Sequence, residues 1–293
     1  MKLRKLFTAL VAGVMTLAAA LSLAACASSG SKELKIIEID LSSEQYGIAV
    51  AKGNDKLKTQ VNAIVAELKG DGVEVDGRKV TFQSLYQAEM EATTPISIGD
   101  VKTKSTNREN ELVVATNAEF APFEYQVGTT FGGIDMQIAK ILAQKMNKEL
   151  VVLHMAFDMV TTSVGTEADV ALAGLTINED RKKVVDFSDP YYDTTQRIAV
   201  AADDTTFDDC KTEEDVKNVL KGLEGKTAGA AKAQTGYFFM VGNESFEFEG
   251  YQNIQTKQYN TIALAVQDLA NGKLSLVCGD KDTLSAAVNA IGK

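Results

Sequence analysis

The stretch Asp169-Val170-Ala171-Leu172-Ala173-Gly174-Leu175-Thr176-Ile177-Asn178-Glu179-Asp180-Arg181 decides the fold. Its first five residues make a mostly apolar run of strand length that stops at Gly174, and Asn178 stands where it caps a short helix carrying Arg181. Outward from this point the alternation continues. Upstream, 111–116 reads as a buried strand, 134–147 as an amphipathic helix with Asp135 near its start, and 150–153 as a strand. Downstream come a strand at 198–202, a helix at 213–223, an extended run at 226–230, a helix at 261–271, a strand at 274–278 and a helix at 283–291. Strands separated by helices of this length mean parallel α/β units. In such sheets ligands sit where strands end and the next loops begin.

The N-terminal part reads strand (34–39), strand (46–51), helix (56–68), the helix carrying apolar Leu57, Val61, Ile64, Val65 and Leu68 on one face. Between it and the α/β units, 93–110 is polar, with Pro95, Gly99 and several Ser, Thr and Lys residues, and reads as a linker. A chain of 293 residues is long enough for two small lobes. Its formal net charge is -10; without the three positive charges of the first 25 residues, 27 basic residues face 40 acidic ones, or -13. That balance argues against nucleic-acid binding, which needs a basic face. It suits a secreted protein kept soluble by its own charge.

Lys2, Arg4 and Lys5 begin the chain, Leu6 to Leu23 form an uncharged apolar run, and Leu23-Ala24-Ala25-Cys26 precedes a polar stretch. This is the layout of a signal peptide over 1–25. Its ending resembles the bacterial lipobox, which implies cleavage before Cys26, lipidation of that thiol and a tether over 26–32. The competing reading is a permanent membrane helix, for which the run is nearly long enough; its several alanines lower the hydrophobicity below that of a stable span. Cys210 and Cys278 remain. They either pair in an oxidising compartment or lie apart as small buried residues.

The central stretch, followed by Val185-Asp186-Phe187-Ser188-Asp189-Pro190-Tyr191-Tyr192, resembles the polar amino-acid-binding proteins of ABC importers, with the glutamine-binding proteins nearest. Ala121-Pro122-Phe123-Glu124-Tyr125, Gly133-Ile134-Asp135 and Asp268-Leu269-Ala270-Asn271-Gly272 extend the resemblance over about 111–293. It implies the type II periplasmic-binding-protein fold: α/β, two Rossmann-like lobes joined by two hinge strands. The family's chain continues past the point where this one ends, through a returning hinge strand and a last helix. Glu44 to Asn54 resembles that returning strand and 56–72 that helix, so the resemblance implies a circularly permuted order. Lobe 1 would be 53–75 plus 111–195, and lobe 2 would be 33–45 plus 203–293. The hinge strands would be 46–52 and 196–202, with 76–110 joining the family's usual ends. Permutation is tolerated where old termini lie close at the surface. An unrelated N-terminal extension, or a duplicated fragment from a neighbouring gene, is the alternative.

The resemblance implies an extracytoplasmic, lipid-anchored monomer that hands a free amino acid to ABC permease subunits, without a cofactor. Burying such a zwitterion requires a cation for its carboxylate and an anion for its ammonium. Arg181 is the carboxylate candidate, because its planar guanidinium forms two parallel bonds to two oxygens. Asp280 is implied as the ammonium partner, Phe120 as the aromatic stacked on the ligand and Phe157 as a second wall. Gly174 and Thr176 follow a strand end. Lys232, Thr235 and Gly236 belong to a contact loop in which Gln234 stands where the family usually has glycine. Asn117 stands where relatives that bind basic amino acids carry aspartate, which leans the ligand toward a neutral polar one such as glutamine. Glutamate is the alternative if Lys232 points inward.

Enzyme readings are weaker. The sole histidine is His154, there is no histidine pair for a metal, and no glycine-rich phosphate loop is visible. The same fold hosts dehydratases of cyclic amino-acid precursors, a reading that needs an acid or base beyond Asp280, with Lys232 the clear candidate. A sensory amino-acid-binding module is a further alternative.

Overall fold

A computed structural model describes residues 31–291. The signal-peptide segment 1–25 and Cys26 lie outside the described residues. Among those described, no helix is long and apolar enough to cross a membrane.

Two five-stranded sheets carry the architecture. The first runs Glu149–His154, Glu111–Thr116, Val170–Ala171, Ala49–Ala51, Val185–Phe187. Its first three strands are parallel, and Ala49–Ala51 is antiparallel to both its neighbours. The second runs Leu34–Ile37, Gln196–Ala201, Leu276–Asp280, Thr227–Ala231, Gln255–Tyr259. Gln196–Ala201 is its antiparallel member. Alternation explains why both sheets are covered on both faces. Leu112 and Val114 enter one core with Val61, Ile138 and Leu142, while Val113 and Ala115 enter another with Val160 and Leu175. In the second sheet Ile198, Val200 and Leu276 face Val216 and Leu220, whereas Ala199 and Val277 face Val266 and Leu269.

The two sheets are joined by the short antiparallel ribbon of Glu44–Tyr46 with Tyr192–Thr194. The structure thus distributes the expected hinge segments 46–52 and 196–202 differently. Ala49–Ala51 lies inside the first sheet and Gln196–Ala201 inside the second, so the crossing falls a few residues earlier in each. The physical reason lies in the side chains. Ile48, Ala49 and Val50 are all apolar and fully buried, as a central strand requires, while Gln45 is exposed between buried Glu44 and Tyr46.

The stretch 76–110, expected as connecting chain, holds regular structure. Arg78–Val80 pairs with Val73–Val75. The helix Phe82–Glu91 starts in a capping box between Thr81 and Ser84, and Phe82, Leu85 and Tyr86 pack against the first core. Past it the chain is irregular yet anchored. Ile98 N–H donates to Phe131 O at 2.9 Å, and the Glu111 carboxylate accepts from Ser105 Oγ at 2.7 Å and from Asn107 N–H at 3.0 Å. The Ser105 bond leads the contacts that pull Glu111 down to about 2. Helix Asp55–Lys69 buries Val61, Ile64, Val65 and Leu68, the stripe read from the sequence, and Asn54 caps it. Cys210 and Cys278 are both buried and free, so the unpaired alternative holds in this structure.

Candidate functional site

The expected site residues converge where strand ends of the two sheets approach each other. Asn178 Oδ1 accepts from Arg181 N–H at 2.8 Å, capping the helix Glu179–Val184. The Arg181 side chain turns back so that Nη1 donates to Thr176 O at 2.7 Å, and its guanidinium carbon lies 5.2 Å from the Phe157 ring centre. Burial lowers Arg181 to about 10, against the pull of Asp280, Glu44 and Tyr46, so it stays cationic at neutral pH.

Asp280 ends the strand Leu276–Asp280 and is 4% exposed. Its Oδ2 accepts from Tyr46 Oη at 2.5 Å. Burial, and then the charge of Glu44, push its carboxyl up to about 7, opposed by hydrogen bonds from Tyr46 and Gln196 and by Arg181. Thr176, from the first lobe, meets Thr235, from the second, hydroxyl to hydroxyl at 3.2 Å. Gly236 follows in the helix Thr235–Val241, where a Cβ would lie 2.7 Å from Cys278 O and 2.9 Å from Gln196 Oε1. Any side chain there would push the loop off the strand. Gly174 has a positive φ of 51°, and a Cβ on it would come 2.5 Å from Phe120 Cε1. Its N–H is taken by Asp135 Oδ2 at 2.9 Å, which leaves its carbonyl for other contacts. Phe120 is nearly buried and packs on Tyr46 and Phe123.

A cavity of about 330 Å³ opens beside this centre, bounded by Asn117, Glu119, His154, Phe157, Asp158 and Lys232 among others. Asn117 spends its Nδ2 on Met155 O at 2.9 Å, leaving its carbonyl oxygen to act as an acceptor. Lys232 Nζ meets Asp158 Oδ2 at 2.7 Å, a pair between the two lobes in which Lys232 holds Asp158 below the usual carboxylate range. Arg181 lines a smaller adjoining cavity of about 200 Å³ with Ala233, Phe238 and Phe246, and the two cavities share Phe157 and Asp158. Gln234 is extended (φ -90°, ψ 163°), and the left-handed position of the loop belongs to Ala233, with φ of 59°. In this chain the loop therefore needs no glycine at Gln234, whose backbone any residue adopts.

Three residues of the centre were not singled out from sequence: Glu44, Tyr46 and Gln196. Glu44 is 6% exposed and accepts from Ser42 Oγ at 2.6 Å, Gln196 Nε2 at 3.0 Å and Thr176 Oγ1 at 3.0 Å. Gln196 pairs with Asp280 in the strand register, and its Oε1 is buried without a partner. Their signal was present in Glu44-Gln45-Tyr46, an acid and a phenol placed at a crossing between lobes. Among the described residues no group of three or more His, Cys, Asp or Glu is arranged to hold a metal ion.

A model of the bacterial extracellular solute-binding proteins, family 3, matches residues 112–291. The arginine-binding extracellular protein ArtP of Bacillus subtilis (strain 168) is 35% identical over 176 residues, which is 60% of this chain and 63% of that protein. A probable histidine-binding protein of Neisseria gonorrhoeae is 28% identical over 174 residues, 59% of each. Among solved structures, the arginine-bound form of truncated ArgBP from T. maritima is 33% identical, with a TM-score of 0.51, covering 62% of this chain and 79% of that one. The matched stretch thus spans less than two thirds of both sequence relatives.

Proposed function

The chain belongs to the bacterial extracellular solute-binding proteins of family 3, with the type II periplasmic-binding-protein fold, and from that premise we propose that it captures a free amino acid and delivers it to an ABC importer. One observation carries this reading: the buried carboxyl group of Asp280, at the end of a second-sheet strand, and the charged guanidinium of Arg181, on the first-sheet side, act on each other electrostatically where Thr176 meets Thr235. A zwitterion satisfies both at once, the carboxylate on Arg181 and the ammonium on Asp280. The other expected contacts follow in the same reading. Phe120 and Phe157 supply apolar walls, Gly174 and Thr176 a carbonyl and a hydroxyl, and Thr235 and Gly236 the facing loop.

The ligand's side chain enters the larger cavity, and its charge favours arginine. Glu119 and Asp158 are both carboxylates, the sole cation among the residues named there, Lys232, is already held by Asp158, and Asn117 has an acceptor to offer. The arginine-binding relatives point the same way. Glutamine is the second reading, favoured by the neutral amide at Asn117 in place of a carboxylate. Glutamate loses support because Lys232 is paired. A thermal-shift screen against the twenty amino acids, followed by calorimetry, tests the assignment. Arginine should raise the melting temperature most. Stabilisation by glutamine alone would reverse the preference, and no response to any amino acid would overturn the function.

The circular permutation is part of the proposal. Support comes from the family match beginning at 112, while Leu34–Ile37 and Ala49–Ala51 fill positions in the two sheets. A rearranged chain, 111–291 followed by 34–92, should fold and bind; an unfolded product would favour an unrelated extension. The lipid anchor is tested by fatty-acid labelling, which Cys26→Ala should abolish. A role as a binding protein and not a dehydratase or sensor is supported by the relatives' names.

A further inference from the structure

The expected ammonium end of the site holds one more carboxyl group than the proposed ligand chemistry needs. Glu44 and Asp280 are 6% and 4% exposed, and the hydrogen-bond partners of both are neutral: Ser42, Gln196 and Thr176 for Glu44, Tyr46 and Gln196 for Asp280. They lie on neighbouring elements. Gln196 pairs with Asp280 across the strands and donates Nε2 to Glu44 Oε1 at 3.0 Å, so its amide spans the gap between the two carboxyl groups. The remaining Gln196 atom, Oε1, is buried and has no partner. Two buried carboxyl groups tied to one glutamine, and that glutamine's orphaned amide oxygen, are all acceptors, a set that suits an ammonium with three N–H donors.

We propose that Glu44 is a positioning residue for the ligand: its buried carboxyl group, bridged to Asp280 through Gln196, keeps a proton on Asp280 in the ligand-free protein, and that proton is released to water when the ligand's ammonium arrives. The inference rests on the amino-acid reading above and adds to it a residue and a proton. Burial and the nearby Glu44 carboxylate both disfavour the ionised form of Asp280. The groups facing Asp280 do not supply a compensating cation in full. Arg181 is charged, but it is engaged with Thr176 O and Phe157. Tyr46 and Cys278 are neutral acids pushed well above their ordinary values, first by burial and then by Asp280. Glu124, raised first by burial and then by Asp135, contributes no positive charge. Burial and Glu44 together bring Asp280 to about 7, so its proton leaves within the physiological range. A ligand ammonium, donating its own N–H groups to the same oxygens, replaces that proton in the charge balance.

The consequence is an affinity that depends on pH in one direction. Below about pH 7 the ligand must displace the proton, so binding weakens about tenfold for each unit the pH falls, until the bound state itself takes up the proton. Calorimetric titration of the full chain with arginine, in buffers of different ionisation enthalpy, counts the protons. At pH 6 the wild-type protein should release close to one proton per arginine, and at pH 8 almost none. Glu44→Gln removes the second charge while keeping a side chain able to reach Ser42, Gln196 and Thr176. It should release far fewer protons at pH 6 and hold a nearly flat affinity from pH 6 to 8. The buried groups Asp135 and Glu124 stay in place in that variant, so any slope it retains belongs to them. Wild-type protein that binds arginine without releasing a proton at pH 6 overturns the proposal, as does Glu44→Gln with undiminished release. Should Glu44→Gln fail to fold, the wild-type count decides alone, and Glu44→Asp, which keeps the charge, should keep the release. A wild-type protein that binds no amino acid at all would instead bring down the functional reading.

Discussion

Replacing Arg181 by alanine tests the centre of the site. The guanidinium donates to Thr176 O at 2.7 Å, stacks 5.2 Å from Phe157, and is the cation facing Asp280 and Glu44. Truncation removes the partner of the ligand carboxylate and leaves that carboxylate beside two acidic groups. Breaking a buried charge pair in this way costs ~3–5 kcal/mol. At ~1.4 kcal/mol per tenfold change, binding falls by a factor on the order of 10² to 10³. The fold should lose far less: one hydrogen bond to a carbonyl, worth ~1 kcal/mol. Calorimetry with arginine at pH 8, above the value of about 7 for Asp280, gives the affinity, and a urea melt followed by circular dichroism gives the stability. The two readouts separate a damaged site from a damaged protein. Arginine binding within threefold of wild type, in a folded Arg181→Ala protein, would refute the assignment of this residue to the carboxylate.

Three further outcomes follow from the geometry. Lys232→Ala removes the pair with Asp158, whose side chains are 55% and 39% exposed. An exposed pair of this kind contributes ~0.2–1 kcal/mol, so affinity by calorimetry should change less than about fivefold, and a larger loss would mean that Lys232 touches the ligand. Ala233→Gly relieves a left-handed residue at φ of 59°; against the chain entropy glycine costs, a net stabilisation of up to ~1 kcal/mol should appear in urea melts, and a destabilised variant would contradict it. The ligand-free protein should melt at a lower temperature at pH 8 than at pH 5. Asp280 and Asp135 are raised by burial to about 7 and about 6, so between the unfolded carboxyl range and those values the native state binds more protons. The stability they contribute is therefore full at low pH and lost as the pH rises through 6 to 7. Added arginine should offset that loss.

Local pattern was enough to read most of the elements in the sequence. Strand Glu111–Thr116 and the helices Ile134–Lys145, Glu213–Gly222 and Ile262–Ala270 follow from runs and periodicities contained within a dozen residues each. So did the cap on Arg181, because Asn178 needs only its own next turn. Helix Phe82–Glu91 is hard to read locally because none of its residues is fully buried and its contacts are made with distant parts of the chain. Phe82 and Tyr86 lie against Tyr191 and Tyr192, and the Tyr86 and Tyr192 hydroxyls both reach Asp282, a contact between residues 196 apart for Tyr86. Helix Thr235–Val241 was missed for a related reason: its first turn is set by the strand beneath Gly236 and not by its own propensity.

By itself the sequence determined that this is an α/β chain with an amino-acid-binding signature, an intact Arg181 motif and an acid at a strand end. Those properties are local and survive in a list of residues. Only the tertiary structure decided that Glu44 belongs beside Asp280, 236 positions away in the chain. A charge acquires its chemical role from what surrounds it once water is removed. Which carboxyl groups lose their water together depends on how the crossing strands Glu44–Tyr46 and Tyr192–Thr194 bring two distant strand ends to one place.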